Sequence, residues 1–247
     1  MSKSVLIFGA GLVTRPLVIY LCEKEYCVTV ASRTLSNARV LTGDFKKAMA
    51  VKCDVTIDDM LVDELIQVHD VVVSMLPYMH HKKIFMLCLK YKKHFLTTSY
   101  TQDYMHDYKE QLVRDNIIVV NEAGLYPGLE TASIMKLVNQ IHGEGYKIKS
   151  LTTYCGGLPA PECNTNPLGY KFSWAPRGVL LAELNPAKYL DHGEVVELST
   201  RMEVLKHHGD VSVDVIGVFE GIANRDSIKF IDLYDIKEAE TFVRGTL

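Results

Sequence analysis

The sequence predicts an α/β chain: a doubly wound parallel sheet in the first half, followed by a separate α+β unit. Three observations carry that expectation. Short β-branched and apolar runs alternate with helix-periodic segments as far as Glu122. The first run enters a glycine turn at Gly9 and Gly11. Beyond Glu122 the alternation gives way to turn clusters and long irregular stretches.

The runs are SVLIFG (4–9), CVTVAS (27–32), AMAVKCDV (48–55), DVVVSML (70–76), HFLTTS (94–99) and NIIVVNE (116–122). Near-continuous apolar strands of this kind belong to a parallel sheet covered on both faces. Leu17 and Leu21, like Leu61 and Leu65, stand one helical turn apart and mark the covering helices. Right-handed crossovers then wind the sheet in both directions. Past Glu122, GLYPGLE is a turn cluster, Glu130 to His142 a helix, and KIKSLTTYCGG a strand. The stretch GGLPAPECNTNPLGYKFSW is a long loop, and loops of that length are usually functional. Further strands are expected near 194–199 and 211–220, giving domains at 1–125 and 126–247. The chain stops at FVRGTL in mid-pattern with no polar tail, so the second domain is expected to be incomplete.

Composition narrows the function. The 247 residues are 48% apolar and 23% charged, with a formal net charge of −3 and no Lys/Arg block. Nucleic acid is therefore not an expected partner. No apolar run reaches membrane-spanning length, and the first strand begins at Ser4, leaving no room for a leader. Cys22, Cys27, Cys53, Cys88, Cys155 and Cys163 form neither a CxxC pair nor zinc-ligand spacing. Reduced thiols in a cytoplasmic protein without a metal site are the expectation.

The glycine turn places Gly9 and Gly11 between a strand and a helix, as in the Rossmann dinucleotide-binding unit. Gly9 allows the tight turn, and Gly11 lets the backbone near Leu12 and Val13 reach a pyrophosphate at the helix N-terminus. Thr14 replaces the usual third small residue and should push the helix slightly from the strand, whereas Pro16 is tolerated in a first helical turn. The end of the second strand selects the cofactor. An NAD site would carry Asp or Glu there; this chain has Ser32, Arg33 and Thr34. A guanidinium pairs with a 2′-phosphate, so NADP is favoured, the alternative being a solvated loop arginine. Asp54, with Val55 after the third strand, is a candidate for the adenine, or an exposed loop aspartate.

The block YCGGLPAPECNTNPLGYKFSWAPRGVLL (154–181) resembles saccharopine dehydrogenases of the glutamate-forming type, from the aminoadipate route of lysine metabolism. GAGLVTRP, VASRTLSNA, SMLPYMHH, TTSY, NEAGLYPG, NRDS and ETFVRGTL agree in order along the whole chain, and SRT looks like the fungal NADP-using branch. The resemblance implies a small-molecule substrate: saccharopine interconverted with glutamate and aminoadipate semialdehyde through an imine reduced by the nicotinamide. It implies that Ser99 and Tyr100 contact substrate and that Arg225 and Arg244, with Gly245 and Thr246, hold its carboxylates. Leu76 and Pro77 would pass the cofactor ribose, and Leu125 and Trp174 would wall the nicotinamide, Trp174 having core packing as its alternative. Tyr100 and Cys155 are the candidate catalytic groups, although a buried cysteine is more often a small core residue. A homodimer is the candidate assembly.

The chain departs from the resemblance at its end, since relatives continue past RGTL, and within GLYPGLET. Tyr126 stands where relatives carry Asp, and Glu130 and Thr131 stand for an Asp–His pair. Two readings therefore stand side by side: an NADP-dependent saccharopine-forming oxidoreductase, or a catalytically silent NADP-binding protein of the same lineage.

Overall fold

The structure, a computed structural model, describes residues 3–182 and 184–247. The chain forms two compact units, Met1–Leu129 and Glu130–Leu247.

The first unit alternates strand and helix: β1 (Ser4–Phe8), α1 (Arg15–Glu23), β2 (Cys27–Ser32), α2 (Leu35–Thr42), β3 (Ala48–Lys52), α3 (Asp59–Val68), β4 (Val71–Ser74), α4 (His81–Tyr91), β5 (His94–Thr97), α5 (Lys109–Arg114) and β6 (Val119–Val120). The strands pair in the order β3-β2-β1-β4-β5-β6, all parallel. Chain direction reverses across the sheet between β1 and β4, the position where such sheets open a crevice at their carboxyl edge. The period-two pattern of β1 explains why the sheet is covered twice. Leu6 and Phe8 join Ile66, Ile84, Phe85 and Phe95 on one face, while Val5 and Ile7 join Val18, Val28 and Val30 on the other. Each such buried side chain contributes about 1.5–3 kcal/mol of transfer free energy.

Pro16 lies in the first turn of α1, where its missing N–H breaks no helical bond. Thr14 is accommodated wholly inside the unit, and its hydroxyl finds no partner among the described residues.

The second unit begins with α6 (Leu129–Gly143) and β7 (Ser150–Cys155). The segment 156–175 that follows contains one short 3-10 turn, Pro161–Cys163, among its described residues. Then come α7 (Pro176–Ala182), β8 (Ala187–Asp191), β9 (Glu194–Leu198), α8 (Arg201–Lys206), β10 (Gly209–Val213), β11 (Gly217–Ala223), α9 (Ile231–Tyr234) and β12 (Thr241–Thr246). The sheet runs β10-β11-β12-β8-β9, antiparallel throughout, with β7 added parallel to β12. Ile134 and Val138 of α6 pack on Tyr234, Ile236 and Phe242. A reciprocal cap between Thr200 and Glu203 starts α8.

Three elements differ from the sequence expectation. The strand expected at 211–220 is a hairpin, β10 and β11, which turns at Val215 with φ of 68°. Val215 and Ile216 sit between Asp214 and Gly217 in that turn, and their apolar pair continues the strand pattern through it. β8 was not expected, because it is a short run following Pro186. β12 coincides with the ETFVRGTL motif, whose arginine and glycine obscure the strand pattern.

Candidate functional site

Each strand of the first unit delivers residues just past its carboxyl end. After β1, Gly9 has φ of +109°, and a Cβ there would stand 3.0 Å from the Met75 carbonyl oxygen. Only glycine fits this turn. Its N–H donates to the Ala31 carbonyl at 2.9 Å, tying the turn to β2. Gly11 opens onto empty space, with nothing within 4 Å of a notional Cβ. Leu12 and Val13 are 66% and 52% exposed, an arrangement that burial does not explain. Their N–H groups have no backbone acceptor among the described residues. Free N–H groups at the start of α1, beside an open cradle, suit a phosphate group. The residues present fit a dinucleotide pyrophosphate.

After β2, the half-buried Ser32 accepts the Thr34 N–H through its hydroxyl at 3.3 Å, and Arg33 and Thr34 are exposed. After β3, Asp54 accepts hydrogen bonds from the Thr56 hydroxyl at 2.6 Å and its N–H at 3.0 Å. Those bonds, and then the charges of Arg33 and His80, hold its carboxyl below the usual carboxylate range. Asp54 and Arg33 are thus neighbours at one edge of the sheet. Val55 is buried and its carbonyl accepts from Lys83, on α4. Sequence reading passed over His80 and Lys83, whose approach to Asp54 and Val55 depends on pairing β4 beside β1. Leu76 and Pro77 follow β4, with Leu76 packed on the core and Pro77 exposed.

After β5, Ser99 and Tyr100 are half-buried. The Ser99 hydroxyl lies 2.8 Å from Nε2 of His81, a fully buried side chain at the start of α4. The same ring contacts the Ser74 hydroxyl through Nδ1 at 2.9 Å and the Thr97 hydroxyl through Nε2 at 3.0 Å. Burial, reinforced by His80, pulls the His81 pKa down to about 4, so the ring is neutral at physiological pH. SMLPYMHH contains this histidine, but its role shows only when α4 is laid against β5. Leu125 is exposed in the turn that leads to α6.

In the second unit, β7, β12 and α6 bring Cys155, Arg244 and Glu130 together. Arg244 is buried and stacks on Phe230, its guanidinium carbon 3.8 Å from the ring centroid. Its Nη2 donates to Glu130 Oε2 at 3.3 Å and its Nε to Oε1 at 3.5 Å. The Thr131 hydroxyl also donates to Glu130 Oε2, at 3.1 Å. Glu130 and Thr131, the two departures from the resemblance, are therefore part of the packing around Arg244. Burial and the Glu130 charge raise the Cys155 pKa, so the group is a thiol at neutral pH.

Gly245 is needed by packing. A Cβ there would stand 2.3 Å from the Tyr154 ring, which lies across β12. The Thr246 hydroxyl donates to the Cys155 carbonyl at 3.0 Å. Arg225 is exposed beyond β11 with φ of 56°, and its carbonyl accepts the Lys188 N–H at 2.8 Å. Trp174 is 43% exposed and packs over Gly178, where a Cβ would lie 2.9 Å from its ring.

A β3-β2-β1-β4-β5-β6 parallel sheet with a glycine cradle at β1 defines a Rossmann-type dinucleotide-binding unit, here joined to a mixed-sheet unit. Two family models divide the chain in the same manner: the saccharopine dehydrogenase NADP binding domain matches residues 5–120, and the saccharopine dehydrogenase C-terminal domain matches 124–247. The chain belongs to the saccharopine dehydrogenase family. It is 39% identical to the saccharopine dehydrogenase (NADP+, L-glutamate-forming) of Schizosaccharomyces pombe, over 99% of this chain and 54% of that protein. It is 40% identical to the Saccharomyces cerevisiae protein of the same description, over 100% of this chain and 55% of that one. The solved apo structure of the saccharopine dehydrogenase (L-Glu forming) from Saccharomyces cerevisiae superposes with a TM-score of 0.87 at 39% identity, covering 99% and 55% of the two chains. The chain spans about half the length of the curated relatives it matches.

Proposed function

We propose that this protein is an NADP-dependent oxidoreductase that interconverts saccharopine with L-glutamate and 2-aminoadipate 6-semialdehyde. The observation that carries the reading is the crest of the first unit, an open phosphate cradle at Gly11 with Arg33 exposed at the end of β2. Relatives described as NADP+-using and L-glutamate-forming support it. When bound, the nicotinamide supplies the hydride chemistry.

This chain's own residues bind, orient and move protons. Gly9, Gly11, Leu12 and Val13 seat the pyrophosphate, and Ser32, Arg33 and Thr34 take the 2′-phosphate. Asp54 and Val55 border the adenine, Leu76 and Pro77 the ribose, and Leu125 and Trp174 the nicotinamide. Ser99, Tyr100, Arg225, Arg244, Gly245 and Thr246 hold the substrate. A guanidinium meets a carboxylate as a two-pronged fork, which suits Arg225 at its exposed turn. Arg244 already has a carboxylate partner in Glu130, so it takes a substrate carboxylate by exchange. Tyr100 and Cys155 handle protons; with its pKa raised, the Cys155 thiol donates rather than accepts at neutral pH.

The free state of all six cysteines supports a reducing compartment, and the cytoplasm is the proposed location. No helix among the described residues is long and apolar enough to cross a membrane. The proposed assembly is a homodimer.

The Arg244–Glu130 pair favours one second reading, a cofactor-binding protein without turnover. Saccharopine-dependent reduction of NADP by the purified protein decides between them. Turnover supports the oxidoreductase; tight NADPH binding with no turnover establishes the silent protein. Arg225→Ala should weaken saccharopine binding about tenfold, the loss of one charge-assisted hydrogen bond, and leave NADPH affinity unchanged. Equal weakening of both ligands would remove Arg225 from the substrate site.

A further inference from the structure

We propose that His81 is a positioning residue, whose imidazole clamps the Ser99 hydroxyl in the orientation in which it meets substrate. The proposal rests on the reading of Ser99 as a substrate contact.

His81 opens α4, and its ring reaches three hydroxyls from the ends of two neighbouring strands: Ser74 on β4, Thr97 on β5 and Ser99 just beyond β5. Ser74, Thr97 and His81 are completely buried, while Ser99 is only half-buried. The line of polar groups therefore has a closed inner end and one open end, at Ser99. A proton passed inward would reach Ser74 and could not leave to solvent, so the line is not a proton channel. It holds a hydroxyl in place. The Thr97 hydroxyl adds a second fixed point, accepting the Ser99 backbone N–H at 3.2 Å. Phe95 meets the His81 ring edge-on at 6.2 Å and limits its rotation. A neutral imidazole offers one donor and one acceptor, and a hydroxyl can take either role, so the ring complements the hydroxyls on both of its sides. Placement at a helix N-terminus disfavours the imidazolium further.

Side-chain length separates this role from plain core packing. Glutamine at position 81 reaches the place of Nε2, beside Ser99 and Thr97; asparagine reaches only the place of Nδ1, beside Ser74. Saccharopine and NADPH affinities are measured by calorimetric titration on the intact protein carrying His81→Asn, His81→Gln, Ser99→Ala and the His81→Asn/Ser99→Ala pair. Ser99→Ala and His81→Asn should each weaken saccharopine about tenfold, the pair no more than either alone, and His81→Gln less than threefold. NADPH affinity should stay within twofold throughout, which also reports that the sheet has folded. Additive losses in the pair, or equal losses for Asn and Gln, overturn the positioning role while leaving Ser99 as a substrate contact. Unchanged saccharopine affinity in Ser99→Ala overturns the substrate reading of Ser99 itself, and the proposal with it.

Discussion

Replacing Arg244 with alanine is expected to destabilise the second unit by about 3–5 kcal/mol. The side chains of Arg244 and Glu130 are 2% and 9% exposed, and their ion pair joins β12 to α6. Taking two charges out of water is expensive, and each is tolerated because the other is present. Removing the guanidinium leaves the Glu130 carboxylate buried beside the neutral Thr131 hydroxyl. It also removes the cation stacked on Phe230. Removing Glu130 as well should recover part of the loss, because the penalty arises from the uncompensated charge. Urea unfolding followed by Trp174 fluorescence checks this in the second unit, where the chain has its one tryptophan. A loss below about 1 kcal/mol would show that Arg244 is solvated like a surface arginine. Substrate affinity alone cannot diagnose Arg244, since unfolding and lost anchoring both weaken binding.

Acid should destabilise the first unit through His81 by about 3 kcal/mol between pH 6.5 and 4. The folded pKa lies near 4 against 6.5 for a free imidazole, so the unfolded chain binds the extra proton across that window. The contribution is fully present above pH 6.5 and is lost as pH falls through the folded pKa. His81→Gln lacks the titration, so its stability should fall less steeply with acid. Hydrogen exchange in β4 and β5 reads the difference: the gap between wild type and variant should narrow by about 3 kcal/mol from pH 7 to pH 4. A constant gap would mean that His81 is solvated and titrates normally.

These two effects were the least legible features of the sequence. Glu130 and Arg244 stand 114 residues apart and meet only when β12 pairs with β7 beneath α6. His81 and Ser99 meet because α4 crosses from β4 to β5. Neither spacing has a periodicity that a sequence shows. The parallel sheet was readable because its strands are buried on both faces and leave apolar runs, as in the three consecutive valines of β4. Its crest was readable for a related reason. In a parallel sheet functional loops follow strand ends, so Gly9, Arg33 and Asp54 could be placed by counting from the runs, whereas Ser99 came from the resemblance of TTSY. The second unit offered less. Its strands are short and half-exposed, and the hairpin turn between β10 and β11 carries the apolar pair Val215 and Ile216 at its centre. Gly245, read as a substrate residue, also has a packing reason that appears only when the Tyr154 ring is seen against it.

On this reading the first unit holds NADP through the cradle at Gly11 and the cation at Arg33. The most direct test is a fluorescence titration of the protein with NADPH and with NADH, repeated on Arg33→Ala. NADPH should bind at least about tenfold tighter, a difference of about 1.4 kcal/mol, with the preference lost in the variant while NADH affinity is retained. Equal affinities in the wild type, or a preference that survives Arg33→Ala, would contradict it.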